Sequence, residues 1–155
     1  MFLFGRVGDD GYGHTLRAGL DADGIDHSGV QTDTDVTTGV AAITVESTGQ
    51  NRIVVVPGAN GRFVLDADAL TAAVQGAGGL VLQLETPMPQ VLGAAKVAHT
   101  AGCPVLLNPS PIQPLPDALW PLVNILVVNE VEAAALAGQS VATPADAAQA
   151  AQALR

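Results

Sequence analysis

The sequence predicts an α/β fold, in which helices flank a mainly parallel sheet. Short apolar runs at residues 80–84, 105–107 and 125–128 have the length and composition of buried parallel strands. Each run is followed by a segment with helical signals, and this alternation is typical of successive βα units. We therefore expect these three strands and a first strand at residues 2–4 to form one mainly parallel sheet.

The first third of the chain combines a helix with a β-hairpin. After the strand at residues 2–4, Leu16 and Leu20 lie on one face of a helix, and Gly24 stands where a left-handed C-cap is favoured. Residues 38–56 contain two segments, the first of alternating composition, joined by a polar turn. This arrangement predicts a β-hairpin, which we expect to project from the sheet.

Further helical signals separate the apolar strands. They occur near Asp66 or Asp68, at residues 89–101 before Gly102, at residues 117–123, and at residues 131–137 before Gly138. Thr143 and Pro144 then form the cap and first position of a last helix, which runs into Arg155 without a stop signal. Because this helix is unfinished and the first strand begins almost at Met1, we expect the chain to be part of a larger α/β protein, incomplete at both ends.

Composition and charge limit the partners of the chain. Its 155 residues, of which 48% are hydrophobic, fit one domain of roughly 100–200 residues. With 15 acidic and 6 basic residues, the formal net charge of −9 would repel a nucleic-acid backbone. The single cysteine, Cys103, excludes an internal disulfide, and no apolar run approaches the ~18 residues of a membrane span. The sequence predicts a cytoplasmic protein with no nucleic-acid or membrane partner.

Polar side chains follow each of the three apolar runs. Glu85 follows the first run, Asn108 the second, and Asn129 the third. Since the carboxyl ends of parallel strands share one edge of a sheet, and ligands of open α/β sheets bind there, we expect a small-molecule site. A protein with few cationic side chains would hold a phosphorylated substrate through backbone amides and Mg²⁺.

The pair Asn129 and Glu132 has two interpretations. Three residues apart at the start of a helix, the amide oxygen and the carboxylate can share a face and hold the waters of Mg²⁺ near a phosphate. Alternatively, Asn129 is only an N-cap and Glu132 is a first-turn acid favoured by the helix dipole. The spacing alone favours neither interpretation.

Glu85 and Asn108 also leave two interpretations open. The Glu85 carboxylate could accept hydrogen bonds from the hydroxyls of a polyol, or it could be a solvated loop acid. Asn108 precedes Pro109, and an Asn-Pro step favours a turn whatever the function.

Six short segments stand in a characteristic order along the chain: Val7-Gly-Asp-Asp10-Gly-x-Gly13, Thr38-Gly-Val-Ala41, Gln50-Asn-Arg-Ile53 with Pro57-Gly-Ala-Asn60, Gln83-Leu-Glu85, Leu107-Asn-Pro-Ser-Pro111, and Asn129-Glu-Val-Glu132. Together they resemble the ribokinase-like (phosphofructokinase-B) carbohydrate kinases, and they cover almost the whole chain. The Gln-Leu-Glu and Gly-Ala-Asn elements resemble the ribokinases themselves more than adenosine or fructose-phosphate kinases.

The resemblance implies a large α/β domain with a β-sheet lid. It implies that ATP, with Mg²⁺, phosphorylates a sugar hydroxyl, converting ribose to ribose 5-phosphate, and that a monovalent cation is a further cofactor. It also implies a homodimer formed through the lid in the complete enzyme.

The resemblance further implies a role for five residues. Glu85 resembles the acid of the family that lies near the sugar. Asn129 resembles the residue that faces the nucleotide phosphates, and Glu132 the acid that holds Mg²⁺ through water. The hairpin at residues 38–56 resembles half of the lid, with Ala41 and Ile43 nearest the sugar.

Two parts of the family pattern are missing from these 155 residues. The Asn-x-Asp and Gly-Gly-x-Gly-x-Asn sugar-binding segments would precede Met1. The Gly-Ala-Gly-Asp anion hole, with the catalytic base and most of the ATP site, would follow Arg155. Because a positioned base contributes about 10²–10⁴-fold to the rate, we expect the isolated chain to be inactive.

Two alternatives to an incomplete kinase stay open. The chain could be a non-catalytic remnant or a split-enzyme fragment that binds a sugar or a complementary chain. An independent flavodoxin-like module would also explain the βα alternation, but it would leave the hairpin unexplained.

Overall fold

The computed structural model describes residues 1–155. Its strands are β1 (Phe2–Gly8), β2 (Asp26–Asp33), β3 (Val40–Val45), β4 (Asn51–Val56), β5 (Leu80–Leu82), β6 (Val105–Leu107) and β7 (Ile125–Leu126). Its α-helices are α1 (Gly11–Ala22), α2 (Ala67–Val74), α3 (Met88–Thr100), α4 (Glu130–Ala137) and α5 (Pro144–Ala153). Short 3-10 helices occupy Gly58–Arg62 and Trp120–Leu122.

β1, α1 and β2 form a βαβ unit. β1 and β2 run parallel, and the predicted helix between them is confirmed, with Gly24 in the left-handed conformation just after it (φ 67°). β2 was not predicted, because Val30 is the only aliphatic residue among its eight and no apolar pattern marks the strand. β2 is a strand because β1 offers a ladder of hydrogen bonds, which a propensity argument does not include.

The hydrogen bonds divide the strands into three sheets. β1 pairs with β2, β3 pairs antiparallel with β4, and β5, β6 and β7 form a parallel sheet in that order. The predicted parallel direction is confirmed, whereas the prediction that β1 shares one sheet with β5, β6 and β7 is wrong. The hydrogen-bonding partner of β1 is β2, the strand that the sequence analysis did not find.

The β-hairpin predicted at residues 38–56 is confirmed as β3 and β4. The register pairs Val40 with Val56 and Ile43 with Ile53. Gly49, with a φ of 84°, allows the turn in which the Glu46 backbone N–H donates to the Gln50 carbonyl at 2.7 Å. All six residues of each strand are exposed, so the hairpin does not pack inside a core.

The chain divides into two compact units. The first comprises Met1–Ala73 and Glu85–Gln90, and the second comprises Val74–Leu84 and Val91–Arg155. Each has its own buried residues. Those of the first unit include Val7, Val30, Ala59, Phe63 and Leu70, and those of the second include Val91, Ala95, Ala98, Val105, Leu107 and Leu119.

Two strands of the second unit, β5 and β7, are shorter than predicted at their carboxyl ends, whereas β6 has the predicted bounds. β5 ends at Leu82 and β7 at Leu126, two residues before the ends of the apolar runs. The chain stays attached beyond both ends, because the Leu84 N–H donates to the Ser110 carbonyl and the Val127 N–H to the Leu107 carbonyl. α5 ends at Ala153 instead of running to Arg155. No helix in the structure is long and apolar enough to cross a bilayer.

Candidate functional site

The carboxyl ends of β6 and β7 lie side by side in the second unit. Leu107, the last residue of β6, pairs with Leu126, the last residue of β7. Asn108 follows β6, and its Nδ2 donates to the Val127 carbonyl at 2.9 Å. The amide of Asn108 therefore joins the two strands just beyond the ladder, as the convergence of strand ends predicts.

Asn129 and Glu132 form a capping box at the start of α4. Asn129 is the N-cap: the Glu132 backbone N–H donates to its Oδ1 at 2.8 Å, and the Asn129 backbone N–H donates to Glu132 Oε2 at 3.0 Å. Gly138, with a φ of 64°, ends the helix in the left-handed conformation. The structure thus confirms that Asn129 and Glu132 cap α4, whereas the binding of Mg²⁺ by this pair stays a prediction.

Glu132 differs from an ordinary first-turn acid in being buried, with 5% of its surface exposed. Its Oε2 also accepts a long hydrogen bond, 3.5 Å, from Asn108 Nδ2. A buried carboxylate needs compensating donors, and here they come from the ends of two neighbouring strands. This places a negative charge in a fixed position where β6 and β7 end.

The oxygen atoms of this site suit indirect binding of Mg²⁺. Oε2 of Glu132 accepts both of the hydrogen bonds described above, and Oε1 accepts neither of them. A carboxylate oxygen and an amide oxygen are both hard ligands. Two residues cannot complete the six-coordinate shell of Mg²⁺, and no group of three or more His, Cys, Asp or Glu side chains is placed to hold a metal directly. The donor set therefore fits a metal held through its waters.

Glu85 lies in a bend after β5 and is exposed. The residue before it, Leu84, is buried, and its carbonyl accepts a hydrogen bond from Gln113 Nε2 at 3.1 Å. Glu85 belongs to the first unit, whereas Asn129 and Glu132 belong to the second. The expected convergence of Glu85 with these two residues stays a prediction.

Ala41 and Ile43 lie on one face of β3, as the alternation predicts. They pair with Val55 and Ile53 of β4, so this face of the hairpin is apolar, and its residues are exposed. An exposed apolar surface of this kind is typical of a binding face.

The contacts that hold the base of the hairpin were not predicted from the sequence. Thr38, two residues before β3, is buried, and its backbone N–H donates to Asp10 Oδ2 at 2.8 Å. The Thr38 hydroxyl donates to Asp10 Oδ1 at 2.7 Å and accepts from the Gly8 N–H at 2.9 Å. Gly8 is required here because a Cβ would lie 2.5 Å from the Thr38 nitrogen. These contacts tie the hairpin to the turn between β1 and α1.

Hydrogen bonds to Asp10 also change its titration. The Gly13 N–H, followed by the Thr38 N–H and hydroxyl, holds the pKa of the Asp10 carboxyl below its usual range. Asp10 is the N-cap of α1, and the 2.8 Å bond from the Gly13 N–H is its capping hydrogen bond. Nothing in the sequence indicates that the second partner of Asp10 is Thr38, 28 residues away.

Asp33 is the second carboxylate near the hairpin. It is buried at the end of β2, with Arg6 Nε at 2.9 Å and Arg62 Nε at 3.2 Å from its Oδ2. The Asp35 N–H, and then the charges of Arg6 and Arg62, hold the pKa of Asp33 below its usual range. Because Arg62 ends the 3-10 helix that follows the hairpin, Asp33 links the segment entering the hairpin to the segment leaving it.

Comparisons with known proteins place these features in one family. The profile of the pfkB family carbohydrate kinases matches residues 1–155. A ribokinase of Schizosaccharomyces pombe is 39% identical over 139 residues, which make up 89% of this chain and 44% of that protein. A bifunctional ribokinase/ribose-5-phosphate isomerase A of Fructilactobacillus sanfranciscensis is 41% identical over 134 residues, 86% of this chain and 25% of that protein.

A solved structure shows the same fold. The Arabidopsis thaliana ribokinase, complexed with ribose and ATP, superposes with a TM-score of 0.86 at 31% identity, over 99% of this chain and 51% of that one. The α/β, ribokinase-like fold expected from the sequence is confirmed. The chain spans about half the length of the ribokinases that it matches.

Proposed function

This chain belongs to the pfkB family of carbohydrate kinases, and we propose that it supplies the sugar- and metal-facing part of a ribokinase. The proposed reaction is the phosphorylation of ribose to ribose 5-phosphate by ATP in the presence of Mg²⁺. Ribose is supported by the relatives, which are ribokinases, and by the ribose and ATP bound to the Arabidopsis thaliana enzyme.

The reaction transfers one phosphoryl group. A sugar hydroxyl oxygen attacks the γ-phosphorus of ATP, the bond from that phosphorus to the oxygen of ADP breaks, and the hydroxyl proton passes to a base. Enzymes accelerate this step by positioning the reactants and neutralising charge. We assign the base, the anion hole and most of the ATP site to none of these 155 residues.

The observation that carries the proposal is the buried Glu132 carboxylate. It is held by the Asn129 backbone N–H at 3.0 Å and lies in the first turn of α4, so a fixed negative charge stands beside N–H groups that attract phosphate. In the proposal, Glu132 holds Mg²⁺ through water, and Asn129 faces the phosphates of ATP. When bound, Mg²⁺ would neutralise the charge that develops on the phosphoryl oxygens.

The sugar is assigned to the first unit. Glu85, on the bend after β5, accepts hydrogen bonds from ribose hydroxyls in the proposal. Ala41 and Ile43 cover the sugar from the apolar face of the hairpin. A monovalent cation completes the proposed cofactors, and a second copy pairs with the hairpin in the complete enzyme.

The proposal is tested by comparing the chain alone with a completed enzyme. The 155-residue chain, given ribose, ATP and Mg²⁺, should release no ADP above background, because the base is not among its residues. A chimera in which this chain replaces the matched half of the Arabidopsis thaliana ribokinase should release ADP at rates on the order of 1–100 s⁻¹. Omitting ribose is the control and should abolish that release.

Two results would contradict the proposal. Turnover by the chain alone at such rates would mean that one of its own residues acts as the base. A folded chimera that releases ADP slowly, or equally well without ribose, would mean that the segment does not serve a ribokinase.

A further inference from the structure

The hairpin is joined to the rest of the first unit by two legs. We use the term entry leg for residues 34–39, which lead from β2 into β3, and exit leg for residues 57–64, which lead away from β4. Every residue of β3 and β4 is exposed, so packing in a core does not fix the hairpin. Its position therefore depends on what holds the two legs.

The two legs contact each other directly. The Ala59 N–H of the exit leg donates to the Thr37 carbonyl of the entry leg at 2.9 Å. Two glycines allow this close approach. A Cβ on Gly39 would lie 2.5 Å from the Pro57 carbonyl oxygen, and a Cβ on Gly58 would overlap the Thr37 carbonyl oxygen. A displacement of one leg therefore displaces the other.

The Asp33 carboxylate attaches both legs to the end of β2. Its Oδ1 accepts from the Asp35 N–H at 2.9 Å and from the Val36 N–H at 3.3 Å, both in the entry leg. Its Oδ2 lies 3.2 Å from Nε of Arg62 in the exit leg. Arg6 of β1 donates to the same Oδ2 at 2.9 Å. One buried group thus connects the sheet, the entry leg and the exit leg.

Arg62 is the member of this cluster whose loss leaves no buried charge without a partner. Its side chain is 47% exposed, whereas the side chains of Asp33 and Arg6 are 1% and 21% exposed. Without Arg62, Asp33 keeps Arg6 and two backbone N–H groups, and the Gln31 side chain still donates to the Val64 carbonyl at 2.6 Å. Breaking a buried pair is strongly destabilising when it leaves a charge unpaired. Loss of Arg62 should therefore free the part of the exit leg next to the hairpin and leave the first unit folded.

We propose that Arg62 is a positioning residue, which holds the hairpin in one orientation through Asp33. The planar guanidinium gives this contact a direction, because it spans Asp33 at 3.2 Å and Asp35 at 3.4 Å. Ala41 and Ile43 are then held at one place relative to the sugar, so ribose binds with a smaller loss of conformational freedom. The part of this inference that concerns the sugar rests on the proposed function, and the part that concerns the hairpin does not.

The first experiment measures the orientation of the hairpin in the complete 155-residue chain, without ribose or ATP. Spin labels are attached at two exposed positions, in the hairpin turn through Ser47→Cys and on α1 through Ala18→Cys. The buried native thiol is removed by Cys103→Ala. We expect the distribution of the distance between the labels to be narrow, and to become at least about twice as wide after Arg62→Gln. Arg62→Lys should give an intermediate width, because the ammonium keeps the charge without the fork.

Arg52→Gln is the matched control for the distance measurement. Arg52 lies within the hairpin, where its Nε is 2.8 Å from Glu46 Oε1, and it receives the same new side chain. It should leave the distribution narrow, and thermal unfolding of each variant checks that the chain is folded. A folded Arg62→Gln variant with an unchanged distribution would overturn the inference, and so would an Arg52→Gln variant that widens the distribution as much.

The second experiment measures the kinetics of the chimeric kinase. Arg62→Gln should raise the KM for ribose roughly 5–10-fold and change kcat and the KM for ATP less than about twofold, because only the hairpin over the sugar is loosened. A merely structural role would instead reduce the amount of active enzyme, and therefore kcat, at an unchanged KM. Arg62→Lys should restore part of the ribose KM. An unchanged KM for ribose in a variant with a widened distance distribution would overturn the role of Arg62 at the sugar.

The inference and the proposed function fail separately. A chimera without ribose-dependent ADP release would contradict the proposed function, whereas a widened distance distribution in the 155-residue chain would still support the role of Arg62 in the hairpin. A chimera that uses ribose, but in which Arg62→Gln changes neither the distance distribution nor the KM for ribose, would overturn the inference alone.

Discussion

At the level of single residues, three carboxylates stabilise turns of this protein. Asp10, Asp33 and Glu132 each accept a hydrogen bond from a backbone N–H that begins a helix or follows a strand. For Asp10 and Asp33, the backbone bond stabilises the ionised carboxylate and lowers its pKa. Glu132, in the first turn of α4, is the one beside the proposed phosphate site.

The role of Glu132 is tested by Glu132→Gln in the chimeric kinase. The amide keeps the shape but removes the charge that the waters of Mg²⁺ would contact. We expect kcat to fall by roughly 10–100-fold and the Mg²⁺ requirement to rise, with little change in the KM for ribose. Glu130→Gln is the control, because Glu130 is exposed in the same turn. Equal effects of both changes would show that only general charge matters.

Glu85→Gln in the same chimeric kinase should raise the KM for ribose. An amide offers one acceptor in place of two and points a donor at a ribose hydroxyl. The expected loss is roughly 1–3 kcal/mol, or about 5- to 150-fold in the KM for ribose, with the Mg²⁺ requirement unchanged. Steady-state kinetics at varied ribose and Mg²⁺ separate the two roles. If both variants altered only the melting temperature, Glu132 would be a capping residue and Glu85 a loop acid.

Asp10 should make the stability of the chain depend on pH. Because its pKa is lowered in the folded state, its stabilising effect is complete above the ordinary aspartate pKa of about 4 and is lost as the pH falls through the lowered value. Asp10→Asn should therefore lower the melting temperature at neutral pH, and the difference from the unaltered chain should shrink in acid. Circular dichroism melts over a range of pH measure this.

Asp9→Asn is the matched control for the pH experiment. It removes the same charge from the neighbouring residue, whose carboxylate lies 3.3 Å from His14 at the surface. A difference for Asp9→Asn as large as that for Asp10→Asn would mean that net charge, and not the contact with Thr38, causes the effect.

The hairpin is the element with the most uncovered apolar surface. One face carries Ala41, Ile43, Ile53 and Val55, and the other carries Val40, Ala42, Val54 and Val56. A two-stranded hairpin is marginally stable in water, and in the proposed function one face covers the sugar while a second copy pairs with the hairpin. The contacts of Asp10 with Thr38 fix the start of the hairpin within the first unit.

We expect the chimeric kinase to be a dimer through the face that does not contact ribose. Val54→Asp should then weaken dimerisation at least about tenfold, because it places a charge in an apolar interface. Ile43→Asp, on the opposite face, should raise the KM for ribose and leave the dimer intact. Sedimentation equilibrium measures the first effect. A monomeric chimera, or a dimer insensitive to Val54→Asp, would contradict the proposed lid interface.

The whole molecule carries a net negative charge and spans about half the length of the ribokinases that it matches. A net charge of −9 opposes an anionic substrate at long range, so the proposed phosphate site relies on Mg²⁺ and the N–H groups at the start of α4.

The sequence by itself determined the local features. Apolar runs predicted β5, β6 and β7, and alternation around a Gly-containing turn predicted the hairpin. The polar residues after the third run predicted that α4 begins next to Asn129. These features depend on residues close together in the chain, where period and capping are visible. The order of six short motifs predicted the family in the same way.

Only the tertiary structure decided the contacts between distant residues. β2 forms beside β1 despite its polar composition, Asp10 contacts Thr38 across 28 residues, and Glu132 is buried beside Asn108. The division of the strands into separate sheets likewise depends on which edges meet. Hydrogen bonds and burial of this kind are set by how the chain packs, and no periodicity along the sequence records which distant residues will become neighbours.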